Sequence, residues 1–499
     1  MLGVAAAACS ASSGDSSGDG GQAEGAIPVE YQAFAAAFDE ERREARVPGA
    51  AVALIQNGQV TFAHGFGSKG PNSQASVDEN TLFRIGSMTK ALTATALLGL
   101  VQSGQISLDA ALVSVIPDVA IGGSGDAGSD AGSDLAALTV REILSHQSGL
   151  YDYLVVDGPT DDSALSQFLT SSAFAASEYF MDPPGTFFNY TNPDYYLAGL
   201  ALERVGGVPY RQAMSDRVLS PLGMTRTFFL PADVIADGDY SNGLSTAPDG
   251  GPLDVAPDSY DNAWARPAGY AFSSVVDYAK FVQFLYSGNA SVLADSERLA
   301  MQSPQVSTLD IGGAQADVES YGFGLFIERG FSLEGGVYAT TLIQHGGNIP
   351  GFSAHFSLVP STGFGMVWFA NADDIVLPKS TSFALFHFAG LPSPTTSIPP
   401  GVEPDPSLFP AYAGSYEDLN GIGPVTVTAN GATLSIDIPS FDVNGTPYVP
   451  VLVPATLDNF VLTVNGEPIN LTFIADSTGA YVWIRTRITV AHRIAIDGG

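Results

Sequence analysis

The sequence predicts an α+β fold: an antiparallel sheet flanked by helices, with an all-helical region inserted, followed by a C-terminal antiparallel β-barrel-like domain. Three observations predict it. Short strand-like apolar runs stand at both ends of residues 28–390, with helix-period segments between them, so that both ends feed one sheet. Asn-Gly dipeptides split β-rich runs at Asn57, Asn430 and Asn465, and both residues of such a pair accept the positive φ of a two-residue hairpin turn. Prolines cluster over 391–410, and hairpin signals then repeat at the spacing of a small barrel or sandwich.

In chain order, residues 1–27 read as a signal remnant and flexible tether. The small apolar run Leu2 to Ala8 precedes Cys9, and the polar tract Ser10 to Asp15 follows it. This resembles the end of a bacterial lipoprotein signal, with Ala6 where such signals usually carry Leu. It makes Cys9 a candidate lipid anchor and places the chain outside the cytoplasm, as a periplasmic or cell-surface lipoprotein or a secreted protein. Cys9 is the only cysteine, so no intrachain disulfide forms.

From Tyr31 to Arg46 the apolar period is helical, and Ala50–Ile55 and Val60–Gly65 flank the first Asn-Gly turn. Phe83 to Val101 reads as a largely apolar, Ala/Leu-rich helix opening near Ser87 and stopping near Gly104. Residues 118–137, rich in Gly, Ser and Asp, read as a solvated surface insertion. Residues 139–230 are mostly helical in pattern, Val275 to Leu285 is another amphipathic helix, and short strands return from Tyr321 to Ala370. A Pro-rich linker at 391–406 separates this domain (28–390) from a β domain at 407–499. That domain closes on a strand pair at Ala480–Ile484 and Arg487–Val490.

Charge narrows the partners. With 52 acidic and 19 basic residues the formal net charge is −33, and no basic stripe offsets it, so nucleic acid is excluded as a partner. No apolar stretch is long enough for a transmembrane helix.

Ser87-Met88-Thr89-Lys90 carries the chemistry. Residues three apart share a helix face, so Lys90 reaches Ser87. A serine hydroxyl is a weak nucleophile without a neighbouring base, and a lysine in an apolar site sheds its proton more readily than in water. The chain has four lysines, and only Lys90 has a serine three residues before it. Tyr190-Thr191-Asn192 supplies a proton shuttle, since a tyrosine hydroxyl near a lysine ammonium ionises more easily and can act as base toward serine and acid toward the leaving group, and Asn192 supplies a group to orient a substrate carbonyl. The other Tyr-x-Asn triplets, at Tyr240 and Tyr260, read as turns with packed tyrosines. In Gln344-His345-Gly346-Gly347-Asn348 the glycine pair lets a second backbone approach a strand edge, and His345 is placed to meet a carboxylate or move a proton. No G-x-S-x-G elbow, H-E-x-x-H zinc site or phosphate loop is present.

Together these segments resemble the serine β-lactamase and penicillin-binding-protein superfamily, nearest its class C β-lactamase, D-Ala-D-Ala carboxypeptidase and esterase branch. The resemblance runs from about residue 28 to 390. Leu144-Ser145-His146-Gln147-Ser148-Gly149-Leu150 and Pro267-Ala268-Gly269-Tyr270 are similar to further loops of that group, with His146 and Ser148 shaping the first. It implies a β-lactamase/DD-peptidase-like fold in which Ser87 is acylated, Lys90 and Tyr190 move its proton, and Asn192, His345, Gly346, Gly347 and Asn348 bind substrate. The backbone N–H groups of Ser87 and Asn348 then form the oxyanion hole, and no cofactor or metal is needed.

One departure sharpens the function. Class C β-lactamases carry Lys-Thr-Gly where this chain has His345-Gly346-Gly347, and that Lys pairs with the substrate carboxylate. The resemblance therefore implies a peptidase-like serine hydrolase acting on a D-amino-acid peptide or small amide. The alternatives are an esterase or β-lactamase of the same fold, or a non-catalytic envelope-binding lipoprotein.

Overall fold

Asn57 and Gly58 carry φ of 50° and 72°, the pair of left-handed residues a type I′ turn requires. They join strands Gly49–Gln56 and Gln59–Gly67. The first of these is buried on both faces and pairs antiparallel with Phe364–Ala370, setting Ala51 opposite Phe369. The sheet continues through Phe352–Val359, Gly336–Ile349, Phe326–Leu333, Val318–Tyr321 and Val306–Ser307 to a total of eight strands. Both ends of the segment thus meet in one sheet, as the apolar patterning predicts.

This is a computed structural model, and it describes residues 27–122, 131–247, 249–308, 318–334, 336–395 and 404–494. The tether with Cys9, residues 123–130 of the Gly/Ser/Asp-rich tract and residues 396–403 of the Pro-rich linker lie outside the described residues. Among the described residues no helix is long and apolar enough to cross a membrane.

Alternation along the strands sends side chains to two cores. Val52, Leu54 and Trp368 face helices Val29–Glu44 and Pro378–Phe388, where Phe34 and Phe38 fill the space. Ala51, Ala53 and Phe369 face helix Val275–Ser287 and the helical region. At the centre of that region runs helix Thr89–Gln102. After Lys90 it holds no charged residue, and a helix apolar all round belongs inside: Thr89 to Leu98 are all buried. It packs on helix Asn192–Gly206 and on the short helix Arg266–Gly269.

Two local readings are corrected. The helix opens near Ser87 as expected, but Phe83 to Ile85 do not belong to it. Phe83–Arg84 is a short strand paired with Phe272–Ser273, and Gly86–Met88 is a 3₁₀ turn, because Gly86 takes φ 49° and breaks the helical path. The described parts of 118–137 are not simply solvated. Val119 and Ile121 are buried, and Ala131–Ala137 is helical.

Eight further strands, from Gly414–Asp418 to Val490–Arg493, close an antiparallel barrel by pairing the first with the last at Tyr416 and Arg493. The final hairpin differs from its predicted bounds. Its strands are Tyr481–Arg485 and Val490–Arg493, and Arg487 lies in the turn between them, closed by Thr486 N–H donating to the Thr489 carbonyl at 2.8 Å. The barrel docks through Ile474, Trp483 and Val490 against Met181 and Phe187, beside the segment that carries Tyr190.

Candidate active site

Ser87 sits in the 3₁₀ turn that opens the buried helix. Two glycines bring a strand edge to it. A β-carbon at Gly86 would stand 2.7 Å from the backbone nitrogen of Asn348, and Gly347 lies against the backbone of Ile85 and Ser87 at a separation no side chain permits. The Asn348 backbone is thereby held beside that of Gly86-Ser87. Its side chain turns the other way, to Asp374 and Ser353.

Lys90 is 0% exposed. Its Nζ lies 3.0 Å from Ser87 Oγ, 2.8 Å from Asn192 Oδ1 and 2.9 Å from the Ala268 carbonyl oxygen. Two of these partners only accept hydrogen bonds. A neutral amine therefore donates both N–H bonds to them and turns its lone pair toward the Ser87 hydroxyl. Burial drives the Lys90 pKa well below its ordinary value; Asp152 opposes that shift and Arg487 adds to it.

Tyr190 flanks the same pair. Lys90 Nζ lies 4.8 Å from its ring centre, and Tyr190 and Ser87 line the same cleft. The sequence reading has the nearby ammonium ease ionisation of this phenol. In the structure burial outweighs the favourable effects of Arg487 and Ser87, and the pKa rises above the ordinary phenol value. The Tyr190 phenol is thus protonated at neutral pH. The rival triplets are structural: the Tyr260 hydroxyl donates to the Pro350 carbonyl at 2.8 Å, and Tyr240 packs on Leu82, Val234 and Phe272.

Asn192, at the start of its helix, gives Oδ1 to Lys90 and commits both its backbone N–H and one Nδ2 proton to Asp152 Oδ1, at 2.9 and 3.0 Å. His146 takes a left-handed conformation, φ 58°, at the end of helix Val140–Ser145. Its Nδ1 meets Asp194 Oδ2 at 2.9 Å, and its ring centre lies 4.3 Å from that of Tyr190, so it shapes the wall behind the phenol.

His345 lines the cleft but is 2% exposed. Its Nδ1–H donates to the Gly346 carbonyl at 2.6 Å, which leaves Nε2 to accept from the Tyr321 hydroxyl at 3.1 Å. Burial, against the opposing hydrogen bond to Gly346, pushes its pKa down to about 3, so at neutral pH it offers no positive charge to a substrate carboxylate.

Ser87, Tyr190, Asn192 and His345 through Asn348 all line one cleft of about 580 Å³, with Lys90 buried behind it. Phe188, Phe326, Trp368, Leu154 and Val376 give it apolar walls. Two charged lining residues escaped the sequence reading. Asp152, on the loop after Leu150, carries a side chain 7% exposed and accepts from Arg487 Nε at 2.9 Å and a terminal guanidinium nitrogen at 2.7 Å. Arg487 comes from the barrel's last turn and covers the Tyr190 ring at 4.7 Å. The one available signal was Arg485 and Arg487 two residues apart in a chain with so few basic residues.

Fold and site together define a member of the active-site serine hydrolase superfamily. The Beta-lactamase family profile matches residues 34–380, most of the chain, and the chain belongs to that family. Penicillin-binding protein 4 of Amycolatopsis lactamdurans is 26% identical over 413 residues, covering 79% of this chain and 100% of that protein. The fold is shared with the octameric penicillin-binding protein homologue from Pyrococcus abyssi (TM-score 0.61, 22% identity, covering 92% of this chain and 99% of that one). It is also shared with D-amino acid amidase from Ochrobactrum anthropi SV3 (TM-score 0.58, 24% identity, covering 72% of this chain and 98% of that one).

Proposed function

We propose that this protein is a peptidase-like serine hydrolase that cleaves small amides or D-amino-acid peptides through an acyl-enzyme on Ser87. The observation that carries the reading is the buried Lys90 amine, held by two carbonyl oxygens with its remaining direction toward Ser87 Oγ.

The neutral Lys90 amine takes the Ser87 proton as Oγ attacks the substrate carbonyl carbon. Negative charge on the carbonyl oxygen is met by the backbone N–H groups of Ser87 and Asn348, preorganised by the Gly86–Gly347 contact. The Tyr190 phenol gives its proton to the leaving amine and regains one from the Lys90 ammonium, which restores the neutral base. Water then gives a proton to Lys90 and its oxygen attacks the acyl ester. Ser87 Oγ leaves and takes that proton back, releasing the acid.

Amide or D-amino-acid substrates are favoured over β-lactams because His345 is neutral and buried. The likeness to a D-amino acid amidase and to penicillin-binding proteins points the same way. A panel of D-amino acid amides, D-Ala-D-Ala peptides, p-nitrophenyl esters and nitrocefin tests this. Highest kcat/KM on an amide or D-peptide is expected. Predominant ester or nitrocefin turnover reassigns the substrate, and no turnover of any of them favours a binding lipoprotein. We further propose an extracytoplasmic location with a lipid on Cys9; palmitate incorporation abolished by Cys9→Ala is the expected result, and unlabelled wild-type protein contradicts it.

A further inference from the structure

We propose that Arg487, carried in from the C-terminal barrel, is a positioning residue that keeps Lys90 competent as a base by neutralising Asp152. The proposal rests on the serine hydrolase reading above. It stands on an unbroken chain of contacts from the nucleophile to the barrel. Lys90 Nζ joins Ser87 Oγ and Asn192 Oδ1. Asn192 Nδ2 donates to Asp152 Oδ1 at 3.0 Å, and the guanidinium of Arg487 donates to Asp152 Oδ2 through Nε at 2.9 Å and a terminal nitrogen at 2.7 Å.

Arg487 has two effects through this chain. A carboxylate this deeply placed, one amide away from Lys90, holds a proton on the amine unless a cation balances it. Arg487 supplies that cation. The paired carboxylate also fixes the Asn192 amide, so that Oδ1, not Nδ2, faces Lys90. The remaining groups around Lys90 do not substitute. Asp194 is the other nearby carboxylate and is bound to His146; Glu178 lies buried beyond them. His146, His345, Tyr190 and Tyr195 are neutral at pH 7. Arg487 is the one Lys or Arg among the residues lining the cleft.

The turn is anchored from the catalytic side. Asn189 Nδ2 donates to the Arg487 carbonyl at 3.2 Å, and Arg485 Nε donates to Asn189 Oδ1 at 3.1 Å, one residue from Tyr190. Docking of the barrel therefore sets the charge balance at the site.

The test reads the pH dependence of Ser87 acylation by a fluorophosphonate in full-length wild type, Arg487→Ala, Arg487→Lys, Asp152→Asn and Arg487→Ala/Asp152→Asn, each checked for a cooperative melt. Arg487→Ala should move the acidic limb up by about one pH unit and so slow acylation by about tenfold at pH values on that limb, as one displaced pKa unit requires. Arg487→Lys should keep most of the rate. The double variant should recover to within about threefold of wild type, because the unbalanced charge is gone. An unmoved limb in Arg487→Ala, or a double variant no faster than Arg487→Ala, overturns the proposal while leaving Ser87 as nucleophile. Wild-type protein that is not acylated at Ser87 overturns the hydrolase reading itself and this proposal with it.

Discussion

A β-carbon on Gly347 would stand 1.9 Å from the carbonyl oxygen of Ile85, closer than any two such atoms approach. Nothing flexible stands there to move aside, since the obstacle is backbone. The strand edge His345–Asn348 and the turn carrying Ser87 are thus fitted to a glycine at this position.

Gly347→Ala should therefore part the two backbones and separate the N–H groups of Ser87 and Asn348. Losing one such donor typically costs about 10²–10³ in rate. An acylation rate lowered by at least about 100-fold with near-native circular dichroism is expected, and an unaffected rate contradicts the fitted edge.

Tyr190→Phe separates the two halves of the proton path. Burial keeps the phenol protonated, so in the proposed path its main service is to the leaving group. Amide turnover, which needs a protonated leaving amine, should fall by about 10²–10³, whereas p-nitrophenyl esters should lose less than about tenfold. Equal losses on both substrates assign Tyr190 to activation of Ser87 instead.

Lys90→Met tests the buried amine by stability as well as activity. Because the folded pKa lies below the unfolded one, the unfolded chain binds more protons between the two values, and folding strengthens as pH rises through that window. Acylation should drop by about 10³. The melting temperature of Lys90→Met relative to wild type should be most favourable near pH 7 and decline toward pH 10. A difference that does not vary with pH contradicts a depressed Lys90.

His345 predicts the acid side. Its folded pKa of about 3 lies below the ordinary 6.5, so the stability it contributes is intact above pH 6.5 and is lost as pH falls toward 3. His345→Gln, which can keep the bonds to Gly346 and Tyr321, should flatten that loss. The difference in unfolding free energy should change with a slope approaching about 1.4 kcal/mol per pH unit. Parallel stability curves for the two proteins contradict a neutral buried imidazole.

The legible and illegible parts of the site differ in kind. Ser87 and Lys90 were readable because one helical turn links them, and the Asn57 and Asn465 turns because their positive φ values leave a residue-type signature. Asp152 and Arg487 are 335 positions apart and belong to no local pattern. Arg487 was also hidden by its neighbours: the run to Val490 has strand composition, and its turn contains no Gly, Pro or Asn. The ionisation of Tyr190 was misjudged because sequence shows the neighbouring cation but not the depth of burial that outweighs it.

Intact-mass measurement after exposure to a fluorophosphonate or penicillin probe, followed by peptide mapping, tests the nucleophile most directly. One adduct per chain on Ser87, absent from Ser87→Ala, is the predicted result. No adduct on the folded wild-type protein, or an adduct on another serine that survives Ser87→Ala, contradicts it.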